Sequence, residues 1–314
     1  MTPSFGQDIL QGLQSVPKRT HPKYLYDKNG AALFEKICDL PEYYLTRSEN
    51  EIFEIHGSEI AHHMSEFDVI VEYGAGSGEK IAKILSKLPP GTKLPTYVPM
   101  DYSPAYLEMS VHSLAKKLPR LWVDPFEGDF LKDEPFQDLN QKLGSNRRRL
   151  VFFPGSTLGN LDANEIDALI QRTLDFIRPG KGAFILGVDR WKSKEELVPA
   201  YWDSAGITAQ FNRNLLVRMR SELGARVQPE TFRHEARFNP HERRIEMHLV
   251  SDFDQEIEVL GHKISFRRGE SIHTENSHKF DEIELIQRFH RLGLKFVKSW
   301  SDKNHNFVEV LFHA

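Results

Sequence analysis

The chain has 314 residues, 39% of them hydrophobic, and a formal charge of −4 from 41 basic and 45 acidic side chains. A chain of this length and composition can bury the core of one large domain or two smaller ones, and we expect two. The nearly balanced charge provides no positive field for a polyanion, which argues against nucleic acid or an anionic membrane as partner. A small-molecule partner is favoured.

The cysteine content and the N-terminal residues indicate a compartment. Cys38 is the single cysteine, so no disulfide can form within the chain. The N-terminus lacks the basic and apolar segments of a signal peptide, and no stretch approaches a membrane span. We therefore expect a cytoplasmic protein, acting as a monomer, with no membrane partner.

Short apolar runs alternate with segments of helical periodicity along most of the first 190 residues. The runs are rich in β-branched or aromatic residues, and each ends in a turn-forming residue. The predicted strands are 67–74, 96–101, 121–130, 149–157 and 183–190, and the helical segments between them include 79–88, 103–118 and 163–177. Strands and helices in this order predict a parallel sheet covered on both faces.

The C-terminal residues predict an antiparallel hairpin, with strands at 294–302 and 306–314. An α/β, Rossmann-like, doubly wound sheet that ends in such a hairpin resembles the class I S-adenosylmethionine (SAM)-dependent methyltransferase fold. Residues 191–280 interrupt it as an insertion. The resemblance implies a SAM-binding domain of residues 61–190 and 281–314, and a second, α+β substrate domain of residues 1–60 and 191–280.

The segment "VEYGAGSGEK" places three glycines, Gly74, Gly76 and Gly78, where the first strand turns into the first helix. Glycines there allow a tight turn and let a ligand approach main-chain N–H groups. The spacing G-x-G-x-G differs from the G-x-G-x-x-G of dinucleotide-binding proteins, which argues against a nicotinamide oxidoreductase. The alternative is an ordinary tight turn without a ligand.

Acidic residues end the next two predicted strands. Asp101 is suited to accept both hydroxyls of a ribose, and Asp129 to accept from an adenine amine beside the ring of Phe130. Helix capping is the alternative for Asp101, although Ser103 before Pro104 fits that role better. For Asp129 the alternative is a hydrogen bond that closes its own loop.

The fourth strand ends in "FFPGSTLGN". It lacks the Asn/Asp-Pro-Pro-aromatic stretch typical of methyltransferases acting on nucleobase amines, which argues against RNA or DNA as substrate. Asn160 is predicted to lie above the sheet edge and to face the molecule that binds beside the methyl donor. Its alternative role is N-cap of the following helix, which Asp162 could take instead.

Five separated segments resemble the L-histidine Nα-methyltransferase family of ergothioneine biosynthesis, and the likeness extends from about residue 20 to the C-terminus. They are "LYDKNGAALFEKICDLPEYYLTRSE" (25–49), "GSTLGN" (155–160), "AYWDSAGITAQFNRN" (200–214), "RRIEMHLVS" (243–251) and "ESIHTENSHKF" (270–280). The resemblance implies an enzyme that trimethylates the α-amine of L-histidine, through its mono- and dimethylated forms, to hercynine. SAM is the implied methyl donor.

The resemblance also implies roles for single residues. For the donor these are Gly74, Lys80, Asp101, Asp129 and Phe130. For the substrate, Tyr43, Asn160 and Tyr201 match the residues that hold the carboxylate, Glu275 and Ser277 match the pair that binds the imidazole, and Met247 matches a residue near the ring. Tyr26, matching the tyrosine of "LYD", is expected near the amine, with Asn160 as the other catalytic residue and with water carrying the proton away.

Other interpretations follow from the same segments. His273, Glu275 and His278 could be metal ligands, but two histidines five residues apart on a strand face opposite sides and no cysteine completes a site, so we predict no metal. Thr46 with Glu49, and Ser48 with Glu51, match capping boxes for a helix after "PEYYL". The alternative functions are methylation of another aromatic amino acid such as a tryptophan derivative, or SAM binding without catalysis.

Overall fold

The computed structural model describes residues 5–144 and 146–314. The chain divides into two compact units. The sheet unit comprises Leu45–Trp191 and Lys279–Ala314, and the insertion unit comprises Lys192–His278 and the described residues through Tyr44. Each unit is thus built from two separate stretches of the chain.

The elements are numbered in chain order across both units. The helices are α1 Phe5–Gln14, α2 Lys28–Cys38, α3 Tyr44–Ser65, α4 Glu79–Leu85, α5 Pro104–Lys117, α6 Glu134–Leu143, α7 Ala163–Ile177, α8 Lys194–Leu197, α9 Ile207–Leu223 and α10 Glu282–Leu292. The strands are β1 Val69–Tyr73, β2 Thr96–Asp101, β3 Phe126–Glu127, β4 Arg149–Phe153, β5 Ala183–Asp189, β6 Phe232–Asn239, β7 Arg244–Ser251, β8 Gln255–Val259, β9 His262–Phe266, β10 Ser271–His278, β11 Lys295–Ser301 and β12 Phe307–His313.

A seven-stranded sheet in the order β11-β12-β5-β4-β1-β2-β3 forms the centre of the sheet unit. Strands β1 to β5 run parallel, and β12 lies antiparallel between β5 and β11. Every residue of β1, β4 and β5 is buried, as expected for strands covered on both faces. The predicted doubly wound sheet with its C-terminal hairpin is confirmed.

Helices cover both faces of this sheet because neighbouring strand residues point to opposite sides. Val69, Val71 and Tyr73 of β1 pack in a core with residues of α6, α7 and α10. Ile70 belongs to a second core with residues of α3, α4 and α5. The carboxyl ends of the parallel strands are thereby held in one row, which positions the residues that follow them.

The third strand is much shorter than the predicted 121–130. Only Phe126–Glu127 pair with β2, and Val123 forms an isolated bridge with Tyr97. Pro125 separates these two pairings and has no N–H to donate to a neighbouring strand. Most of the predicted strand is therefore irregular.

Helix α3 begins at Tyr44, earlier than the capping-box pattern indicates. Ser48 and Glu49 are buried within the helix and do not mark its start. Ile52 and Phe53 of this helix pack into the sheet unit. The predicted domain border at residue 60 falls inside α3, whereas the compact unit begins at Leu45.

The insertion unit has an α+β composition. Its antiparallel sheet has the order β10-β7-β6, and β8 and β9 form a separate hairpin. Helices α2 and α9 pack against each other, and α9 also contacts β6 and β7. Among the described residues, no helix combines the length and low polarity needed to cross a bilayer.

Candidate active site

A glycine turn joins β1 to α4 in the sheet unit. Gly74, Gly76 and Gly78 all have positive φ, at 64°, 52° and 71°. A side chain at Gly78 would be strained, and its Cβ would also lie 2.7 Å from the Ser110 Oγ. A glycine is thus required by the fold at position 78, where the N–H donates to the Ala75 carbonyl at 3.1 Å.

The carboxylate of Asp101 lies against this turn. Its Oδ2 accepts a hydrogen bond from the Gly76 N–H at 3.3 Å, and its Oδ1 accepts one from the Ser103 N–H at 2.8 Å. Burial raises the pKa of Asp101 above its usual value. The residue is nonetheless partly exposed, so its oxygens keep acceptor capacity for a ligand hydroxyl. The N-cap position of α5 belongs to Ser103 and not to Asp101, so helix capping does not explain Asp101.

Asp129 and Phe130 follow β3, next to β2. The Oδ1 of Asp129 accepts from the Leu131 N–H at 2.9 Å, so the loop-closing role considered from sequence is present. The ring of Phe130 stacks on Tyr73 at 5.6 Å between centroids, and its Cε1 lies 3.9 Å from where a Cβ on Gly74 would stand. An aromatic surface therefore adjoins the glycine turn, as a purine ring requires.

Lys80 and Asn160 complete the predicted residues of the sheet unit. The Lys80 Nζ lies 2.6 Å from Glu49 Oε2, and the lysine side chain is about one-third exposed (32%). Asn160 is half-buried at the end of a 3₁₀ turn, Thr157–Asn160, that follows β4. Asp162, with Glu165, forms the capping box of α7. Asn160 is therefore not the cap of that helix.

A cluster of tyrosines lies in the insertion unit. The rings of Tyr43 and Tyr201 are 6.2 Å apart and nearly perpendicular, and both residues are buried. The Tyr201 hydroxyl and the Ser277 Oγ are hydrogen bonded at 2.6 Å. Burial raises the pKa of Tyr43 well above its usual value, and charge interactions with Tyr201, Cys38, Tyr26 and Glu275 raise it further. The Tyr43 hydroxyl therefore stays a hydrogen-bond donor at neutral pH.

Strands β7 and β10 bring the predicted imidazole-binding residues together. Glu275 pairs with Met247, and Ser277 pairs with Ile245. A bulge interrupts β10 between His273 and Glu275, but the strand is regular from Glu275 onward. Glu275 and Ser277 therefore project to one face, as predicted, and Glu275, Ser277 and Met247 are all buried.

Two phenylalanines that sequence reasoning missed connect Tyr26 to this cluster. The ring of Tyr26 lies 5.4 Å from that of Phe34 and 5.2 Å from that of Phe211. Phe34 in turn lies 6.2 Å from Tyr43. Both phenylalanines belong to the family-like segments quoted above, so the resemblance contained the signal for them.

Three potential metal-ligating groups cluster on β7 and β10, and they differ from the trio considered from sequence. Glu246, His248 and His273 place one donor atom each within 4.8 Å of one another. Glu246 is already occupied: Arg244 lies 2.7 Å from its Oε1 and His248 Nε2 lies 3.1 Å from its Oε2. The two imidazoles are stacked at 4.7 Å, so their in-plane lone pairs do not converge on one ion. We assign no metal to this cluster.

Glu72 on β1 is a buried carboxyl group that sequence reasoning also missed. It is 1% exposed, and Tyr97 donates to its Oε2 at 2.7 Å. Burial raises the pKa of Glu72 from 4.5 to about 8, against the opposing hydrogen bond from Tyr97. The carboxyl group is thus largely protonated in the folded protein at neutral pH.

This pKa predicts a pH dependence of stability. Between about pH 4.5 and pH 8 the folded state keeps a proton on Glu72 that the unfolded state loses, so stability falls as pH rises, by up to about 5 kcal/mol. We expect Glu72→Gln to lack this contribution. Urea unfolding of both proteins across that range measures it, and parallel stability curves would contradict the prediction.

The sheet unit shares three features with one class of enzyme: a doubly wound sheet with its last strand inserted antiparallel, a glycine turn after the first strand, and a carboxylate ending the second. Together they define a class I SAM-dependent methyltransferase. The chain belongs to the family of histidine-specific, SAM-dependent methyltransferases, whose model matches residues 5–314.

Several named relatives match nearly the whole chain. It is 35% identical over 303 residues to histidine N-alpha-methyltransferase of Mycobacterium tuberculosis, covering 96% of this chain and 92% of that protein. Identity to the protein of the same name from Mycolicibacterium smegmatis is 34%, with the same coverage. Ergothioneine biosynthesis protein 1 of Neurospora crassa is 24% identical over 306 residues, covering 94% of this chain and 33% of that protein.

Proposed function

We propose that the protein transfers three methyl groups from SAM to the α-amine of L-histidine, producing hercynine, in the first step of ergothioneine biosynthesis. The observation that carries the proposal is the buried cluster of the insertion unit, where tyrosine hydroxyls, a serine hydroxyl and the Glu275 carboxyl group lie among aromatic rings. The names of the relatives support the same substrate.

The groups of this cluster suit histidine. Tyr43 and Tyr201 donate to its carboxylate without adding a cation that would repel the trimethylated product. Glu275 accepts from one imidazole nitrogen and Ser277 bonds the other, which fixes the ring's orientation and tautomer. Met247 packs beside the ring. A tryptophan derivative would leave the buried Glu275 opposite an apolar ring surface, so this alternative is disfavoured.

The residues of the sheet unit fit SAM. Asp101 offers acceptor oxygens for the ribose, Asp129 accepts from the adenine amine, and the ring of Phe130 adjoins the adenine. The turn at Gly74 allows close approach of the ligand, and Lys80 binds the methionyl carboxylate. When bound, SAM supplies the electrophilic methyl group of its sulfonium.

Positioning is the main catalytic contribution that we propose for the chain's own residues. The α-amine has a reference pKa of about 8 and must lose a proton before each transfer. We propose that Tyr26 lies near the amine and that water accepts the proton. Asn160, the other proposed catalytic residue, helps to hold the substrate carboxylate. We further propose that the protein acts in the cytoplasm as a monomer, without nucleic-acid or membrane partners, consistent with its balanced charge.

The direct test is to incubate the protein with methyl-labelled SAM and a panel of free amino acids that includes tryptophan, and to weigh the products. We expect mass gains of one, two and three methyl groups on histidine. Labelled product from another amino acid, with none from histidine, would refute the proposal.

The Tyr43 hydroxyl provides a first mutational prediction. Tyr43→Phe removes one hydrogen bond to the substrate carboxylate and should raise KM for histidine by a factor corresponding to about 1 to 3 kcal/mol. Steady-state kinetics at saturating SAM measure this change. Tyr44→Phe on the neighbouring residue, which the proposal does not use, is the matched control. Unchanged histidine kinetics in Tyr43→Phe would remove Tyr43 from the substrate site.

A further inference from the structure

Three buried glutamates and one half-buried lysine, from four different elements, lie together in the sheet unit. Glu49 lies on α3, Glu72 on β1 and Glu309 on β12, with exposed fractions of 2%, 1% and 0%. The ammonium group of Lys80, on α4, lies among them. Three carboxyl groups around one ammonium cannot all be charged at an acceptable cost, so their protonation states must differ.

Glu49 has the contacts of a charged carboxylate. Its Oε1 accepts from the Gly155 N–H at 2.5 Å, and its Oε2 lies 2.6 Å from the Lys80 Nζ. Both oxygens are thus bonded to donors, one of them cationic. Such charge-assisted hydrogen bonds are short and directional. Glu49 therefore fixes the position of the ammonium group at the end of the flexible Lys80 side chain.

Glu309 has the opposite environment. No hydrogen-bond donor among the described residues reaches either of its side-chain oxygens. Its neighbour is the carboxyl group of Glu49, since an oxygen of each residue faces the same point above Gly187. A hydrogen bond between two carboxyl groups needs a proton on one of them. Burial, and then the charge of Glu49, raises the pKa of Glu309 well above its usual value.

The backbone makes room for this carboxyl pair at Gly187, in the middle of the buried strand β5. A Cβ there would lie 2.5 Å from Glu309 Oε1 and 3.0 Å from Glu49 Oε1. Glycine within a strand weakens it and often marks a close approach. Here the approaching groups are the two carboxyls, which explains the glycine between Leu186 and Val188.

We propose that Glu309 and Glu49 share one proton, and that this pair is a positioning device that aims the Lys80 ammonium at the methionyl carboxylate of SAM. The inference rests on the proposed role of Lys80 in donor binding. The shared proton matters because Glu49 and Lys80 then form a neutral pair, to which a carboxylate can be added. A second negative charge on Glu309 would oppose that carboxylate. Two other acidic groups act on the charges of Glu49, Glu309 and Lys80. They are Glu72, which accepts a hydrogen bond from Tyr97, and Asp101.

A double-mutant cycle on SAM binding tests the positioning role. By calorimetry, Glu49→Gln and Lys80→Met should each weaken SAM binding about tenfold or more, and the double variant should be little worse than Lys80→Met, because Glu49 acts through Lys80. The KM for histidine at saturating SAM should change less than twofold in Glu49→Gln. Glu59→Gln is the matched control, because Glu59 lies on the same helix but is partly exposed and bonds Lys298 and the indole N–H of Trp300.

The shared proton has its own readout. Wild-type protein should show the infrared carbonyl bands of protonated carboxyl groups. Glu309→Gln should lose one of these bands and keep the one that Glu72 contributes. In Glu309→Gln the amide can still donate to Glu49, so its loss of SAM affinity should be smaller than that of Glu49→Gln. If Glu49→Gln fails to fold, Glu49→Asp, whose side chain is too short to reach Lys80, replaces it in the cycle.

Several results would overturn the inference. One is wild-type SAM affinity in Glu49→Gln, and another is a loss of affinity in the double variant that equals the sum of the two single losses. The others concern Glu309→Gln: unchanged carbonyl bands, or a loss of SAM affinity as large as that of Glu49→Gln. Failure of the proposed function is separate: it would appear as wild-type protein that binds SAM but does not methylate histidine, and the binding cycle would still apply.

Discussion

Replacing Glu275 with leucine is expected to raise KM for histidine by about tenfold to more than a hundredfold. The change removes a charge-assisted hydrogen bond and leaves a buried imidazole N–H without an acceptor, which costs about 1.5 to 3 kcal/mol. Steady-state kinetics at saturating SAM measure the effect. SAM affinity should change little, because the donor residues lie in the sheet unit and Glu275 in the insertion unit.

Two further variants sharpen this prediction. Glu275→Gln keeps the size of the side chain and should show a smaller rise in KM. Glu256→Gln, at an exposed position of strand β8, where Glu256 pairs with Lys263, should behave as wild type. A histidine KM within threefold of wild type in Glu275→Leu would mean that Glu275 does not bind the imidazole.

Replacing Asp101 with alanine is expected to weaken SAM binding by about a hundredfold or more. The carboxylate is proposed to accept both ribose hydroxyls, and each such hydrogen bond contributes about 1.5 to 3 kcal/mol. The change also removes the group that accepts a hydrogen bond from the N–H of Gly76, a residue of the glycine turn. Calorimetric titration with SAM measures the loss.

Asp101→Asn separates the two contributions, since it keeps one acceptor oxygen and should give an intermediate affinity. Asp175→Asn, at the exposed end of α7, is the control for a surface charge change. A SAM dissociation constant within threefold of wild type in a folded Asp101→Ala protein would exclude the ribose role.

The main fold of the sheet unit follows from local sequence patterns, because fully buried strands and amphipathic helices leave strong periodic signals. The length of β3 could not be predicted from these patterns. The apolar residues of 121–130 indicate a long strand, but Pro125 has no N–H to donate to the neighbouring strand β2. The start of α3 did not follow either. Two of its apparent capping residues, Ser48 and Glu49, are instead buried by tertiary packing, and Glu49 bonds Gly155, 106 positions away.

Candidate site residues were predictable where they end strands or lie in family-like segments. Asp101 and Glu275 are examples. Their individual roles remain predictions. The carboxyl pair of Glu49 and Glu309 could not be predicted, because these residues lie 260 positions apart and come together only through the sheet. The trio of Glu246, His248 and His273 could not be predicted either, because it depends on which residue of β7 pairs with His273 of β10.

The insertion of β12 between β5 and β11 has a consequence for biosynthesis. Until Phe307–His313 emerge from the ribosome, β5 has only β4 beside it, and its other edge, Ala183–Asp189, is uncovered. The entire Lys192–His278 stretch is translated in that interval. An apolar, unpaired strand edge is prone to associate with other chains, so nascent molecules of this protein should depend on chaperone protection late in translation.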